Sequence, residues 1–126
     1  REVGGGRGID SRHVVHLCID YADATNRIPS IPELCLAASV SERRVRQAFT
    51  DEFDLPPSQF FRYWALTTAH KRLQEAETEC LTVTEIAAGL GFGHLGRFAA
   101  AYEGLYGERP SATLERAGTR SVVSAN

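Results

Sequence analysis

The sequence has no methionine and only three cysteines in 126 residues, and these scarcities exclude several classes of protein. Cys18, Cys35 and Cys80 are odd in number, far apart and without a C-x-x-C pair. A disulfide-stapled scaffold needs paired cysteines and a zinc site needs clustered ligands, so neither is expected. Each cysteine sits among apolar neighbours at helical spacing, which predicts buried thiols in a reducing cytoplasm. No apolar run approaches the roughly 20 residues of a membrane span, and no charged-then-apolar leader opens the chain, so a soluble protein away from the membrane is expected. No glycine-rich phosphate loop, nucleophile elbow or paired-carboxylate setting occurs, so the chain is not expected to be an enzyme or to hold a cofactor. The four histidines (13, 16, 70 and 94) are scattered. His13, His16 and Asp20 share one helix face, but three surface ligands without supporting groups are more often incidental, and no metal is expected.

Period-2 alternation bounded by turn signals is also missing, which leaves an all-α protein. Arg1 as first residue and the lack of methionine predict a piece of a longer protein. Residues 1–10 open with Arg-Glu-Val-Gly-Gly-Gly-Arg-Gly and read as a flexible linker to a missing upstream domain. Residues 118–126 are small and polar and predict a disordered tail.

Between these ends, helix follows helix. Ser11 is the expected cap of the first, whose Val14, Leu17, Cys18 and Tyr21 fall at i, i+3, i+4 and i+7. Ser30 opens a second, with Pro32 in its first turn, and Ser39-Val40 forms a turn. Ser41 caps a third, carrying Val45, Ala48 and Phe49. Leu55-Pro56-Pro57-Ser58 stops that helix and starts a long one, over 58–76. Its stripe of Phe61, Ala65, Ala69 and Leu73 is widened by Phe60 and Trp64. Phe60, Phe61, Tyr63 and Trp64 are expected in the core, with Tyr63 the most exposed. Thr82 or Thr84 caps the next helix, and Gly89 and Gly91 mark its end. A helix from His94 to about Tyr106 follows, then one entered through Pro110 and Ser111 with Leu114 inside.

One unit occurs twice. Ile31 to Phe53 and Val83 to Tyr106 each comprise a short helix, a tight turn and a second helix. Each has a small-residue pair (Ala37-Ala38, Ala87-Ala88) and an inner-face aromatic (Phe49; Phe98 and Tyr102). Small residues allow a close, steep crossing that holds the second helix outward, where it can enter a major groove. The intervening helix, about 28 Å long at 1.5 Å per residue, approaches the roughly 34 Å between successive groove entries. The expected organisation is therefore two helix-turn-helix subdomains, 11–57 and 77–117, joined by a long central helix. Net charge is −2. Residues 41–73 carry a net +2 and residues 74–117 a net −4, so any basic face lies in the first half.

Ile86-Ala87-Ala88-Gly89-Leu90-Gly91-Phe92, then Phe98, Tyr102, Tyr106-Gly107 and Pro110-Ser111, resemble the AraC/XylS signature: an "Ile-Ala…Gly-Phe" turn, a "Phe-x-x-x-Phe" helix, then "Phe-Gly-x-x-Pro". Leu34, Ala37-Ala38, Ser41, Val45, Phe49, Pro57, Phe61 and Ala69 to Leu73 are similar to the family's first unit and linker helix. The resemblance covers about residues 11–117. It implies seven helices with the third and sixth as readers, and a cytoplasmic, nucleoid-associated bacterial transcription factor that reads two adjacent major-groove segments of double-stranded DNA. It also implies an N-terminal effector or dimerisation domain in the intact protein, and RNA polymerase as a further partner.

Carried over by position, the first reader presents Ser41, Glu42, Arg43, Arg44, Arg46 and Gln47. Arg43, Arg46 and Gln47 fall where the family touches base edges; arginine suits guanine O6 and N7, and glutamine suits adenine N6 and N7. Ser41 and its neighbouring amides suit a phosphate, and Arg44 either contacts phosphate or is a solvated charge. The second reader presents His94, Leu95, Gly96 and Arg97. Arg97 is its one strong base reader, while His94 either touches phosphate or caps the helix. Ala100 and Glu103 depart from the family, which often has Arg or Lys there, and Glu103 repels phosphate. The first unit is therefore expected to dominate base-specific binding. The competing reading is an AraC-type fold used mainly for protein–protein interaction, with weak DNA binding.

With about four to six phosphates neutralised, the log–log slope of affinity against salt should be shallow, roughly −4 to −5. Titration of a bound duplex over a range of salt concentrations measures it, and a slope near −10 would require a basic surface that the sequence does not display.

Overall fold

The computed structural model describes residues 10–75 and 82–125, with side chains to Gly118. The expected linker over residues 1–9, Cys80 and the end of the central helix at Ala76 lie outside the described residues. Those residues form seven helices and no strand: α1 (Ser11–Thr25), α2 (Ile31–Ala38), α3 (Glu42–Phe53), α4 (Pro57–Glu75), α5 (Val83–Leu90), α6 (Leu95–Tyr106) and α7 (Pro110–Ala125). No helix among the described residues is long and apolar enough to cross a membrane. The chain divides into two compact units between Tyr63 and Trp64, inside α4.

In the first unit α1 packs on α2 and α3, and α2 packs on α3. The first cap differs from expectation: Asp10, not Ser11, accepts the His13 N–H at 2.9 Å. A carboxylate is the stronger acceptor at the positive end of a helix, and Ser11 is left to bond elsewhere. The buried face of α1 is also turned, to Val14, Val15, Cys18 and Ala22, while Leu17 and Tyr21 are half-buried. Tyr21 stays near the surface because its hydroxyl donates to Glu33 at 2.8 Å. Cys18 is buried, with its thiol pushed up to about 11 by desolvation and by the nearby Cys35, which is only half-buried. Phe49 is the hub of the aromatic core, 5.2 Å from Phe60 and 5.5 Å from Phe61 between ring centres. Phe61 is buried, Phe60 and Trp64 are half-buried, and Tyr63 is exposed.

The repeat extends to individual hydrogen bonds. Ser30 and Thr82 each cap an eight-residue helix, and Glu33 and Glu85 reach back to complete a capping box. Both helices close on a left-handed residue, Ser39 (φ 57°) and Gly91 (φ 103°). Val40 N–H then bonds Cys35 O at 3.1 Å, and Phe92 N–H bonds Ala87 O at 3.0 Å. Gly91 makes this turn, whereas Gly89 lies inside α5. Each twelve-residue second helix, α3 and α6, again ends left-handed, at Asp54 and Gly107. A buried proline three residues later, Pro57 or Pro110, starts the next helix, where its missing N–H costs nothing. The last helix runs to Ala125, past residue 118 where the sequence predicts a tail. Extending an established helix adds one hydrogen bond per residue without a new nucleus.

In the second unit α5, α6 and α7 pack on one another. A polar chain ties them to α4. His70 Nδ1 lies 2.8 Å from the Tyr102 hydroxyl, which donates to Thr113 Oγ1 at 2.8 Å. Thr113 donates to Glu108, whose carboxylate is gripped by both terminal nitrogens of Arg116 at 2.6 Å. Because the Tyr102 proton is used on Thr113, His70 must donate from Nδ1, which sets its tautomer. Its ring stacks on Tyr106 at 3.8 Å between centres. Tyr102 and Thr113 are buried, and the chain satisfies both hydroxyls.

Glycine in place of Ser39 relieves a left-handed penalty of about 1–2 kcal/mol and adds unfolded-state entropy of roughly 0.5–1 kcal/mol. Ser39→Gly should therefore stabilise by about 0.5 kcal/mol and Gly91→Ala should destabilise, as read from urea midpoints. Glu108 is held down at about 2 against an ordinary 4.5, first by Arg116 and then by Thr113. A depressed carboxylate stabilises above its unfolded value, and that stability is lost as pH falls through the folded one. The advantage of the natural protein over Glu108→Gln should be full at pH 6 and shrink between about pH 4.5 and pH 2. Glu33, held well below the carboxylate range by Arg27, the Ser30 amide and Tyr21, should behave alike in the first unit.

Candidate nucleic-acid interface

The inner side of α3 is Val45, Ala48 and Phe49, all fully buried. With 3.6 residues per turn, that burial leaves Glu42, Arg43, Arg46, Gln47 and Thr50 on the outside, lining one open shallow groove. Four of these are sequence-predicted site residues. Thr50 was missed, although its position seven residues after Arg43 and four after Arg46 puts it on the same stripe.

Ser41 is the N-cap, its Oγ accepting the Arg44 N–H at 3.2 Å. Its own hydroxyl proton stays available to an anion, beside the unpaired amides of the first turn. Arg44 departs from the outer stripe. It is half-buried, and its Nη1 donates to Ser11 Oγ on α1 at 3.2 Å.

Two of the outer side chains, Arg46 and Gln47, are held by acids of the same helix. Arg46 donates from Nε at 2.9 Å and from Nη2 at 2.7 Å to a single oxygen of Glu42. This uses the side edge of the guanidinium and leaves its end edge, Nη1 with the second Nη2 hydrogen, for another bidentate acceptor. Both residues are about half exposed, so the pair orients more than it stabilises. Gln47 Nε2 donates to Asp51 Oδ1 at 2.7 Å, and Ser11 Oγ donates to Asp51 Oδ2 at 2.6 Å. The Asp51 carboxyl is lowered from its ordinary value, first by Ser11 and then by Gln47. The sequence reading assigned Asp51 no role, since one acid among four in the segment carries no local signal.

The equivalent side of α6 buries Phe98 and Tyr102 and exposes Leu95, Gly96, Arg97, Ala100 and Glu103. Leu95 is 44% exposed, an apolar side chain at the helix start. Arg97 has no hydrogen-bond or ion-pair partner among the described residues. His94 occupies the N-cap position, but its side chain makes no cap hydrogen bond. Of its two expected roles the cap is therefore unfilled; its backbone, at φ −129° and ψ 102°, is extended.

A family model described as a helix-turn-helix domain matches residues 34–116. A probable thc operon regulatory protein of Rhodococcus erythropolis is 31% identical over 102 residues, covering 80% of this chain and 31% of that protein. The XylDLEGF operon transcriptional activator 1 of Pseudomonas putida is 34% identical over 87 residues, covering 69% and 26% respectively. The chain thus spans between a quarter and a third of the length of these relatives. A crystal structure of a probable AraC family transcriptional regulator from Rhodopseudomonas palustris superposes with a TM-score of 0.69 at 33% identity, covering 82% of this chain and 96% of that one. An AraC-type structure from Chromobacterium violaceum has a TM-score of 0.72 at 18% identity, over 85% and 94% of the two chains, a likeness of fold.

Proposed function

This chain belongs to the AraC/XylS family of transcription regulators as a helix-turn-helix DNA-binding domain, and on that premise we propose that α3 and α6 are both recognition helices, reading adjacent major-groove segments of a promoter. The observation that carries this reading is the hydrogen-bond-level equivalence of the two helix-turn-helix units. The same capping box and the same left-handed closure precede both twelve-residue helices.

In this reading the two helices do unequal work. On α3, Arg46 offers its free end edge to guanine O6 and N7, Arg43 reaches a neighbouring base, and Gln47 meets adenine. Ser41 and the first-turn amides hold a phosphate and set register. On α6, Arg97 is the base reader, and Leu95 and Gly96 contribute shape beside it. His94, unused as a cap, is left for phosphate. Glu103 keeps the later turns of α6 away from the backbone by like-charge repulsion. The greater length of the relatives supports an effector or dimerisation domain elsewhere in the intact regulator, and recruitment of RNA polymerase belongs to that larger assembly.

A duplex selected from a random-sequence library tests the reading. Footprinting should show two protected segments about one helical turn apart. In gel-shift titrations Arg46→Ala should weaken binding by about tenfold or more, the cost of a lost bidentate contact, and Arg97→Ala by less. A larger loss at Arg97 would reverse the ranking, and a single protected segment would remove α6 as a reader.

A further inference from the structure

An acid on a DNA-facing helix is a cost unless it has work to do, and Asp51 has two fixed partners. One of its oxygens accepts from Gln47 Nε2 at 2.7 Å and the other from Ser11 Oγ at 2.6 Å. Ser11 belongs to the first turn of α1, which packs on α3, so the carboxylate is anchored from a second element. Arg44 Nη1 donates to the same Ser11 oxygen at 3.2 Å, which directs the Ser11 proton toward Asp51.

A carboxylate only accepts hydrogen bonds. A half-turn of the Gln47 amide would set its Oε1 against Asp51 Oδ1, acceptor against acceptor. The amide is therefore held with nitrogen toward Asp51, leaving Oε1 and the second Nε2 hydrogen to meet a base. Adenine presents a donor, N6–H, beside an acceptor, N7, which matches an amide oxygen beside an N–H. Guanine presents two acceptors there, and thymine an acceptor and a methyl group, so each leaves Oε1 without a donor. An unrestrained glutamine would lose rotamer freedom on binding and could turn to suit either edge.

We propose that Asp51 is a positioning residue for Gln47: anchored through Ser11 on α1, it holds the glutamine amide in one orientation and so confers adenine preference on the first recognition helix. The proposal rests on the base-reading role of Gln47 given above.

The full chain is first used to select duplexes from a random-sequence library, and single base-pair substitutions then identify the position whose preference depends on Gln47→Ala. Asp51→Asn keeps the shape but can donate or accept, freeing the amide to turn. Adenine preference at that position should fall about fivefold or more, with preference at the Arg46 position unchanged. Ser11→Ala, which keeps the charge and removes the anchor, should act in the same direction by less. In a Gln47→Ala background, Asp51→Asn should change nothing further at that position. If adenine preference survives Asp51→Asn, or if affinity only rises equally for every base, Asp51 acts as a bare charge and the positioning role is overturned while Gln47 remains a reader. If Gln47→Ala leaves every base preference intact, Gln47 is not a reader and both claims fall.

Discussion

What α3 and α6 can present outward depends on how each helix is pinned by its inner side. On α3 the pins are Val45, Ala48 and Phe49; on α6 they are Phe98 and Tyr102. Burying a valine or phenylalanine side chain is worth about 1.5–3 kcal/mol, several times what an exposed ion pair contributes, so packing and not the outer charges decides the rotation of each helix. Once that rotation is set, the helical period puts Arg43, Arg46 and Gln47 on one outer stripe and Arg97 on the other. The turns before them support the same end. A left-handed residue at 39 or 91, with backbone bonds closing the preceding helix, directs the chain into the next helix.

The two units are copies in backbone and differ in chemistry. Their hydrogen bonds correspond at an offset of 52 residues up to the turn, which then has three residues in the first unit and four in the second. The first unit spends its polar groups outside, on a helix where acids orient the basic and amide side chains. The second spends many of them inside, on the chain from His70 through Tyr102 and Thr113 to Glu108 and Arg116. That chain fastens α6 and α7 to α4, while the outer side of α6 carries few groups able to read a base.

Parts of this were open to sequence reasoning because they are local. The Ser30 and Thr82 caps, the proline starts, the Gly91 turn and the Phe61–Ala65–Ala69–Leu73 stripe each leave a signal within a few residues. Other parts were not. Asp10 took the cap from Ser11 because the serine hydroxyl had a partner forty residues away, in Asp51. Val15 and Ala22 replaced Leu17 and Tyr21 on the buried side of α1 because Tyr21 was drawn to Glu33. His94 occupies the expected cap position without making the cap bond. The role of Asp51 and the sharing of α4 between two units depend on neighbours that no window of the sequence contains.

The sequence alone determined that helix follows helix, that the unit repeats, and which family the chain resembles, because caps, period and turn residues act over three or four positions. Only the tertiary structure decided which polar side chains are free and which are held. Ser11 against Asp51, and His70 against Tyr102, are meetings between segments remote in the chain, and a hydrogen bond across such a distance exists only after packing has brought its two ends together.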